Sequence, residues 1–227
     1  MVPLVSEKKQ SVLLLRIASA LVLAPLVLAG VHFGGLYYHA LIGGMGLILI
    51  FEWADMVGRR PMWMVLGGIY MTLSVWAMWE LRLDTQWGAM TVFWLLGVVW
   101  GADTGGYVFG QMLRGPKLAP AISPNKTWSG FLGGTVLGAV AGWGVVAFFR
   151  PDGGLELAAF GAALAVVSQA GDLFESWIKR RFGVKDSGKI IPGHGGLFDR
   201  VDGLVAVAIV LALINITLEG NVLVWLS

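Results

Sequence analysis

The chain has 227 residues, 57% of them hydrophobic and only 13% charged, with a mean hydropathy of +0.76. Soluble domains carry about 25% charged residues, so a water-solvated globule of this size would lack the polar surface to cover itself; an all-α, polytopic integral membrane protein fits instead. A net charge of +2 gives no footing for nucleic acid, and the absence of cysteine excludes disulfides, thiolate metal ligands and a cysteine nucleophile.

A lipid core needs about 20 mostly apolar helical residues per crossing. Such runs lie at 12–30, 36–51, 62–79, 90–109, 130–149, 155–174 and 204–226, giving about seven spans, the second short and glycine-rich. Backbone polar groups find no water in lipid, so the runs should be helices; the alternation of barrel strands is missing. The first run exceeds the usual 7–15-residue core of a signal peptide and is read as a retained anchor. With the N-terminus cytoplasmic, Lys8, Lys9, Arg16, Arg59, Arg60, Arg114, Lys117, Lys126 and the six basic residues from Lys179 to Arg200 all fall inside. Of sixteen basic residues, only Arg82 and Arg150 fall outside, as the positive-inside rule requires. The expected organisation is one membrane domain: N-terminal spans over 1–99, a catalytic region over 100–203 and a last span over 204–227. Most of the 33 glycines suit close helix packing in lipid.

Polar residues gather in three stretches on the inner side. The first, Trp100-Gly-Ala-Asp103-Thr-Gly-Gly-Tyr107, places Asp103 and Tyr107 on one helical face. A carboxylate at membrane depth is functional by default, the alternative being an interfacial group wetted by lipid headgroups. The second, Ser123-Pro-Asn-Lys126-Thr127, stands just before the fifth span. It could present donors to an anion at a helix N-terminus, or be a polar turn with a hydroxyl cap. It lacks the spacing of a phosphate-binding P-loop.

The third stretch runs from Gly171 to Asp202 and is the most informative. Asp172, Glu175, Ser176 and Lys179 share a helical face, and Asp199 and Asp202 stand one turn apart at the start of the next helix. Carboxylates from two helix ends suit a hard cation such as Mg²⁺, which takes oxygen ligands and shares its shell with substrate phosphates. Lys179, Arg180, Lys185, Lys189 and Arg200 could neutralise phosphate oxygens. They could also enforce topology and touch anionic lipid, the reading we favour for Arg181. His194, between glycines and without a second histidine at ligand spacing, reads as a phosphate contact rather than a zinc ligand.

Ser176-x-Ile178-Lys179-Arg180, four residues, Lys185-Asp186-x-Gly188, two residues, Ile191-Pro192-x-His194-Gly195-Gly196-x-x-Asp199-Arg200-Val201-Asp202 resembles the full signature of the phosphatidate cytidylyltransferases. The stretches at Asp103–Tyr107 and Ser123–Thr127 resemble that family's two upstream motifs. The resemblance runs from about residue 100 to 203; before it, the chain is similar only as a series of spans. It implies an all-helical membrane enzyme in the inner membrane that turns CTP and phosphatidic acid into CDP-diacylglycerol and pyrophosphate. It also implies a Mg²⁺ requirement, a second, monovalent cation and a homodimer. By position, Asp172, Asp199 and Asp202 would belong to the cation site and Lys179 to a phosphate cradle, with Arg200 beside it. Asp103, Tyr107, Ser123, Lys126, Thr127, Ser176, Arg180, Lys185, Asp186, His194, Gly195 and Gly196 would bind substrate.

The attacking phosphatidate oxygen is already anionic, so no strong general base is needed; the difficulty is joining two polyanions, which positioning and electrostatics relieve. A secondary transporter or channel would explain the spans and Asp103, but not a one-sided run of acids, bases and glycines, and no inverted repeat is visible. Another CTP-using lipid enzyme, a polyprenol kinase or a cytidylyltransferase for a different lipid phosphate, would share the nucleotide site. The lipid product separates these readings.

Overall fold

The structure is a computed structural model. It describes residues 4–58, 60–149, 154–191 and 195–226, with side chains for Leu15 and from Ala18 onward. Lys8, Lys9, Arg16, Arg59, Arg150 and His194 therefore lie outside the described side chains. The elements in chain order are α1 (Leu4–Phe33), α2 (Gly35–Val57), α3 (Pro61–Leu83), α4 (Gly88–Leu113), β1 (Lys117–Ala119), β2 (Ser123–Thr127), α5 (Trp128–Phe149), α6 (Leu155–Phe182), α7 (Phe198–Thr217) and α8 (Val222–Trp225).

Among the described residues six helices, α2 to α7, are long and apolar enough to cross a membrane, and Ala18–Phe33 of α1 forms a shorter apolar helix. The protein is thus an all-α polytopic membrane protein, and the seven expected runs fall on α1 to α7. Short connections make successive helices antiparallel. The ends of α2, α4 and α6 and the starts of α3, α5 and α7 gather at one end of the bundle, here called the site end. Lys126 meets Asp172 there, Arg180 donates to the Ile122 carbonyl, and Ser187 meets Glu52. The opposite end is joined by Arg82 donating to the Val31 carbonyl and Asn221 to Asp84.

Four elements differ from the sequence expectation, the first being α2, expected as a short run over 36–51, which continues to Val57. Helix α6 continues past residue 174 to Phe182, because Glu175 and Lys179 neutralise each other one turn apart, and Gly183 caps it at φ 72°. The last span starts six residues early, at Phe198, and stops at Thr217. Glu219 there adopts φ 50°, and the Asn221 side chain accepts from Leu223 N–H to start α8. The stretch before the fifth span, for which anion-binding donors and a polar turn were both open, forms an antiparallel hairpin, pairing Lys117 with Thr127 and Ala119 with Ser123.

The closest helix pair is α4 with α5. Gly97, Gly101 and Gly105 on α4 face Gly130, Gly134, Gly138 and Gly142 on α5, each series stepping by four residues along one face. A Cβ on Gly105 would lie 2.5 Å from the Gly133 carbonyl oxygen, and one on Gly134 2.7 Å from that of Ala102. The backbones touch, so the hairpin between them is held against the bundle. Gln169 of α6 pins the far side of α5 by donating to the Phe131 carbonyl and Thr135 Oγ1, both at 3.2 Å. Gly105→Val should overpack this seam at a cost of about 1–3 kcal/mol or more, seen as a lower melting temperature of the detergent-purified protein.

Candidate active site

Helices α6 and α7 cross where two glycines meet. A Cβ on Gly171 would stand 2.8 Å from the Asp202 carbonyl oxygen and 3.3 Å from Gly203 Cα, and one on Gly203 would overlap Ser168. Each glycine is the chain neighbour of an aspartate, so the crossing that brings the backbones together also brings Asp172 and Asp202 together. Glu175, one turn after Asp172, joins them: ligand-capable oxygens of Asp172, Glu175 and Asp202 all lie within 4.8 Å of one another.

The surroundings are anionic. Asp103 of α4 lies within electrostatic reach of Asp172, Lys126 and Arg200, and Asp202 within reach of Asp172, Asp103 and Lys126. Lys126, reaching in from β2, pairs with Asp172 at 2.6 Å. Lys179 bridges Glu175 at 2.6 Å and Asp199 at 2.7 Å, with its side chain only 12% exposed. Five carboxylates thus share Lys126, Lys179 and Arg200. Glu175 Oε1 is buried without a hydrogen-bond partner among the described residues. A buried carboxylate oxygen left in that state is costly, and a cation among the three converging carboxylates would relieve it. The donor set, all carboxylate, is that of a hard divalent ion such as Mg²⁺.

Asp199, which the resemblance places at the cation site, stands beside this group of three, joined to Glu175 through Lys179. The Asp199 carboxylate takes the Lys179 ammonium together with the N–H groups of Ser187 (3.0 Å) and Gly196 (2.9 Å). Those bonds draw it towards the loop before α7.

The other expected residues divide by what holds them. Thr127 Oγ1 accepts from Gly130 N–H at 3.1 Å and so caps α5, the plainer of the two roles open to it. Ser123 sits in β2, half-buried, and pairs with Ala119. Ser176 Oγ approaches Asp172 Oδ1 at 3.4 Å. Arg180 is exposed and donates to the Ile122 carbonyl at 3.2 Å, tying the hairpin to α6. Lys185, Asp186 and Arg200 are exposed at the site end. Gly195 adopts φ 86°, and its carbonyl accepts from Ile191 N–H at 3.0 Å; His194 lies outside the described residues. Tyr107 is 67% exposed on the outer flank of α4.

Two acidic residues went unassigned in the sequence. Glu175 shares the face of Asp172 at a spacing of three, which was signal enough. Glu52, near the end of α2, accepts from Leu197 N–H and Phe198 N–H, both at 2.8 Å; a carboxylate directly after the apolar run 36–51 was its only mark.

A family model for the cytidylyltransferase family matches residues 60–217. The chain belongs to that family. The match takes in α3 to α7, the hairpin and the loop before α7, and therefore every carboxylate of the cluster. Among similar proteins, a phosphatidate cytidylyltransferase of Brucella suis biovar 1 is 44% identical over 173 residues, which are 76% of this chain and 63% of that one. One from Rickettsia felis is 37% identical over 225 residues, 93% of this chain and 95% of the relative. One from Rickettsia conorii is 34% identical over 227 residues, 95% and 96% of the two chains. The chain thus spans under two thirds of the Brucella relative's length and nearly all of the Rickettsia ones.

Lys179 is the cation on which this cytidylyltransferase-family site leans most. Lys179→Met leaves Glu175 and Asp199 facing each other, and removing one partner of a buried pair costs about 3–5 kcal/mol. The variant should melt at lower temperature than the parent, with Lys179→Arg closer to it.

Proposed function

We propose that this chain is a phosphatidate cytidylyltransferase, transferring the cytidylyl group of CTP to phosphatidic acid to give CDP-diacylglycerol and pyrophosphate. The observation that carries the reading is the convergence of Asp172, Glu175 and Asp202 within 4.8 Å, beside two partly buried lysines, in a chain of this family. The names of the relatives supply the lipid substrate.

Asp172, Glu175 and Asp202 would hold Mg²⁺, whose chemistry is to bridge phosphate oxygens and offset their charge. Lys126 and Lys179 already face carboxylates at 2.6–2.7 Å and would turn part of their charge to phosphate oxygens. Arg200, exposed beside Asp199, would meet the departing pyrophosphate. Asp199 keeps Lys179 in place. A phosphatidate oxygen attacks the α-phosphorus of CTP, a new P–O bond forms, and the bond from that phosphorus to the bridging oxygen breaks. The nucleophile needs no deprotonation, so these residues orient two polyanions and screen them from each other.

Depth favours a lipid substrate. Asp103 and Asp172 each precede the site-end terminus of their helix by ten residues, about 15 Å of helix rise. A phosphate held there stays near its own leaflet, and the lipid enters sideways. The same proposal includes a cytoplasmic N-terminus and site end, the inner membrane, a monovalent cation beside Mg²⁺ and a homodimer.

Purified protein given labelled CTP, phosphatidic acid and Mg²⁺ should form labelled CDP-diacylglycerol. Chelation should abolish the product, and Asp202→Asn or Glu175→Gln should lower turnover at least a hundredfold in folded protein; no labelled lipid from the parent chain ends the reading. The absence of native cysteine also makes topology directly readable. A cysteine at Lys185 should react with an impermeant thiol reagent only in inverted vesicles, and one at Thr85 only in intact cells.

A further inference from the structure

Glu52 stands near the end of α2, outside the matched segment that begins at residue 60, yet its side chain is built into the loop before α7. It is 3% exposed, and a carboxylate so buried must be compensated by hydrogen bonds or charge. Leu197 N–H donates to Oε1 and Phe198 N–H to Oε2, each at 2.8 Å, and the Ser187 hydroxyl donates to Oε2 at 3.3 Å. The two amides open α7, where a helix has no acceptors of its own and favours negative charge. The loop closes tightly on the carboxylate: a Cβ on Gly188 would lie 2.5 Å from Oε1, and one on Gly196 2.7 Å from Oε2.

The bonds continue inward. Ser187 Oγ accepts from Asp199 N–H at 3.3 Å, and Ser187 N–H donates back to the Asp199 carboxylate at 3.0 Å. Asp199 in turn holds Lys179 at 2.7 Å, and Lys179 holds Glu175. A chain of contacts therefore runs from α2 to the carboxylate cluster.

We propose that Glu52 is a positioning residue for the site: it fixes Ser187, Leu197 and the first turn of α7, and through Ser187 and Asp199 it sets where Lys179 and the cluster carboxylates stand. It also accounts for Gly188 of the signature, since the space a side chain would need there is filled by this carboxylate, whereas at Gly196 Ser187 Oγ and the Gly188 amide stand nearer than Glu52 does. The kinetic part of the inference rests on the cytidylyltransferase reading; the structural part does not.

The test uses the full chain in detergent and Glu52→Gln, which keeps the shape but exchanges one acceptor oxygen for a donor. Backbone hydrogen exchange, which needs no substrate, should speed up about tenfold or more over residues 186–200, as expected for lost charge-assisted bonds, while α4 and α5 keep their protection. In the CTP assay the KM for CTP and the Mg²⁺ concentration for half-maximal rate should each rise about tenfold. A merely unstable variant loses active molecules and leaves both values where they were. Glu52→Asp should restore part of the shift and Glu52→Ala none of it. Parental exchange in the 186–200 segment, or parental KM and Mg²⁺ values despite faster exchange, overturns the proposal. Should the parent chain make no lipid product, the enzymatic reading falls and the exchange measurement alone decides the role of Glu52. Should Glu52→Gln not fold, Gly188→Ala displaces the carboxylate by overlap and must give the same changes; parental behaviour there is equally fatal.

Discussion

The contact on which the site depends is the crossing of α6 and α7 at Gly171 and Gly203. Carboxylates repel, and holding three of them within 4.8 Å needs a framework that does not yield. The framework is steric: with no Cβ at either glycine, the two backbones approach to where any larger side chain would meet Asp202 O or Ser168. Because the aspartates are the immediate chain neighbours of these glycines, helix packing and charge convergence are one event. Lys126 and Lys179 then temper the repulsion without cancelling it, and the remaining negative charge is what the proposed divalent ion would meet.

The membrane sharpens this arrangement. In lipid, helices associate through close packing and hydrogen bonds rather than through loss of apolar surface from water, so small residues carry the architecture. The α4–α5 seam places Asp103 and the hairpin lysine, and the α6–α7 crossing places Asp172, Glu175 and Asp202. Gln169 links the two pairs by bonding to α5 from α6. Non-helical backbone is gathered at the site end, where a hairpin and a glycine-rich loop satisfy themselves with Thr127, Asp199 and Glu52. Asp103 and Asp172 each stand ten residues before the site-end terminus of their helix, so the polar groups lie about 15 Å of helix rise inside the bundle.

How much of this was legible depended on sequence distance. Asp172 and Asp202 could be paired from the sequence because each stands beside its own glycine, within the one continuous polar stretch from Gly171 to Asp202. Glu175 shares the Asp172 face and was visible as an acid, but the sequence does not say that Lys179 would draw Asp199 away and leave Glu175 in the cluster; that follows from where Ser187 and Gly196 aim their N–H groups. The hairpin was illegible because Pro120 and Pro124 make its strands read as loop, and its register is held by only a few residues. The end of the last span was illegible for a different reason: Leu218 and Val222–Leu226 keep the segment apolar while Glu219 and Asn221 turn the backbone out of the helix. Glu52 is the extreme case, since its partners are 135 to 146 residues away, and nothing local marks it beyond its charge.

That distance also bears on how the chain divides. The sequence reading divides the chain at residue 100, and the bonds of Glu52 to Ser187, Leu197 and Phe198 cross that division. The loop over 187–197 is rich in glycine and carries several backbone donors, a composition with many conformations available when left alone. A carboxylate from a separate helix, bonded to the Ser187 hydroxyl and to Leu197 N–H and Phe198 N–H, ties down both ends of that loop before substrate arrives. The cost of ordering the loop is then met during folding of the membrane bundle rather than on binding CTP, which is the physical content of preorganisation. On this view α2 belongs to the chemistry as much as α6 and α7 do: it leaves the reacting atoms alone and sets the shape of the loop that must hold them.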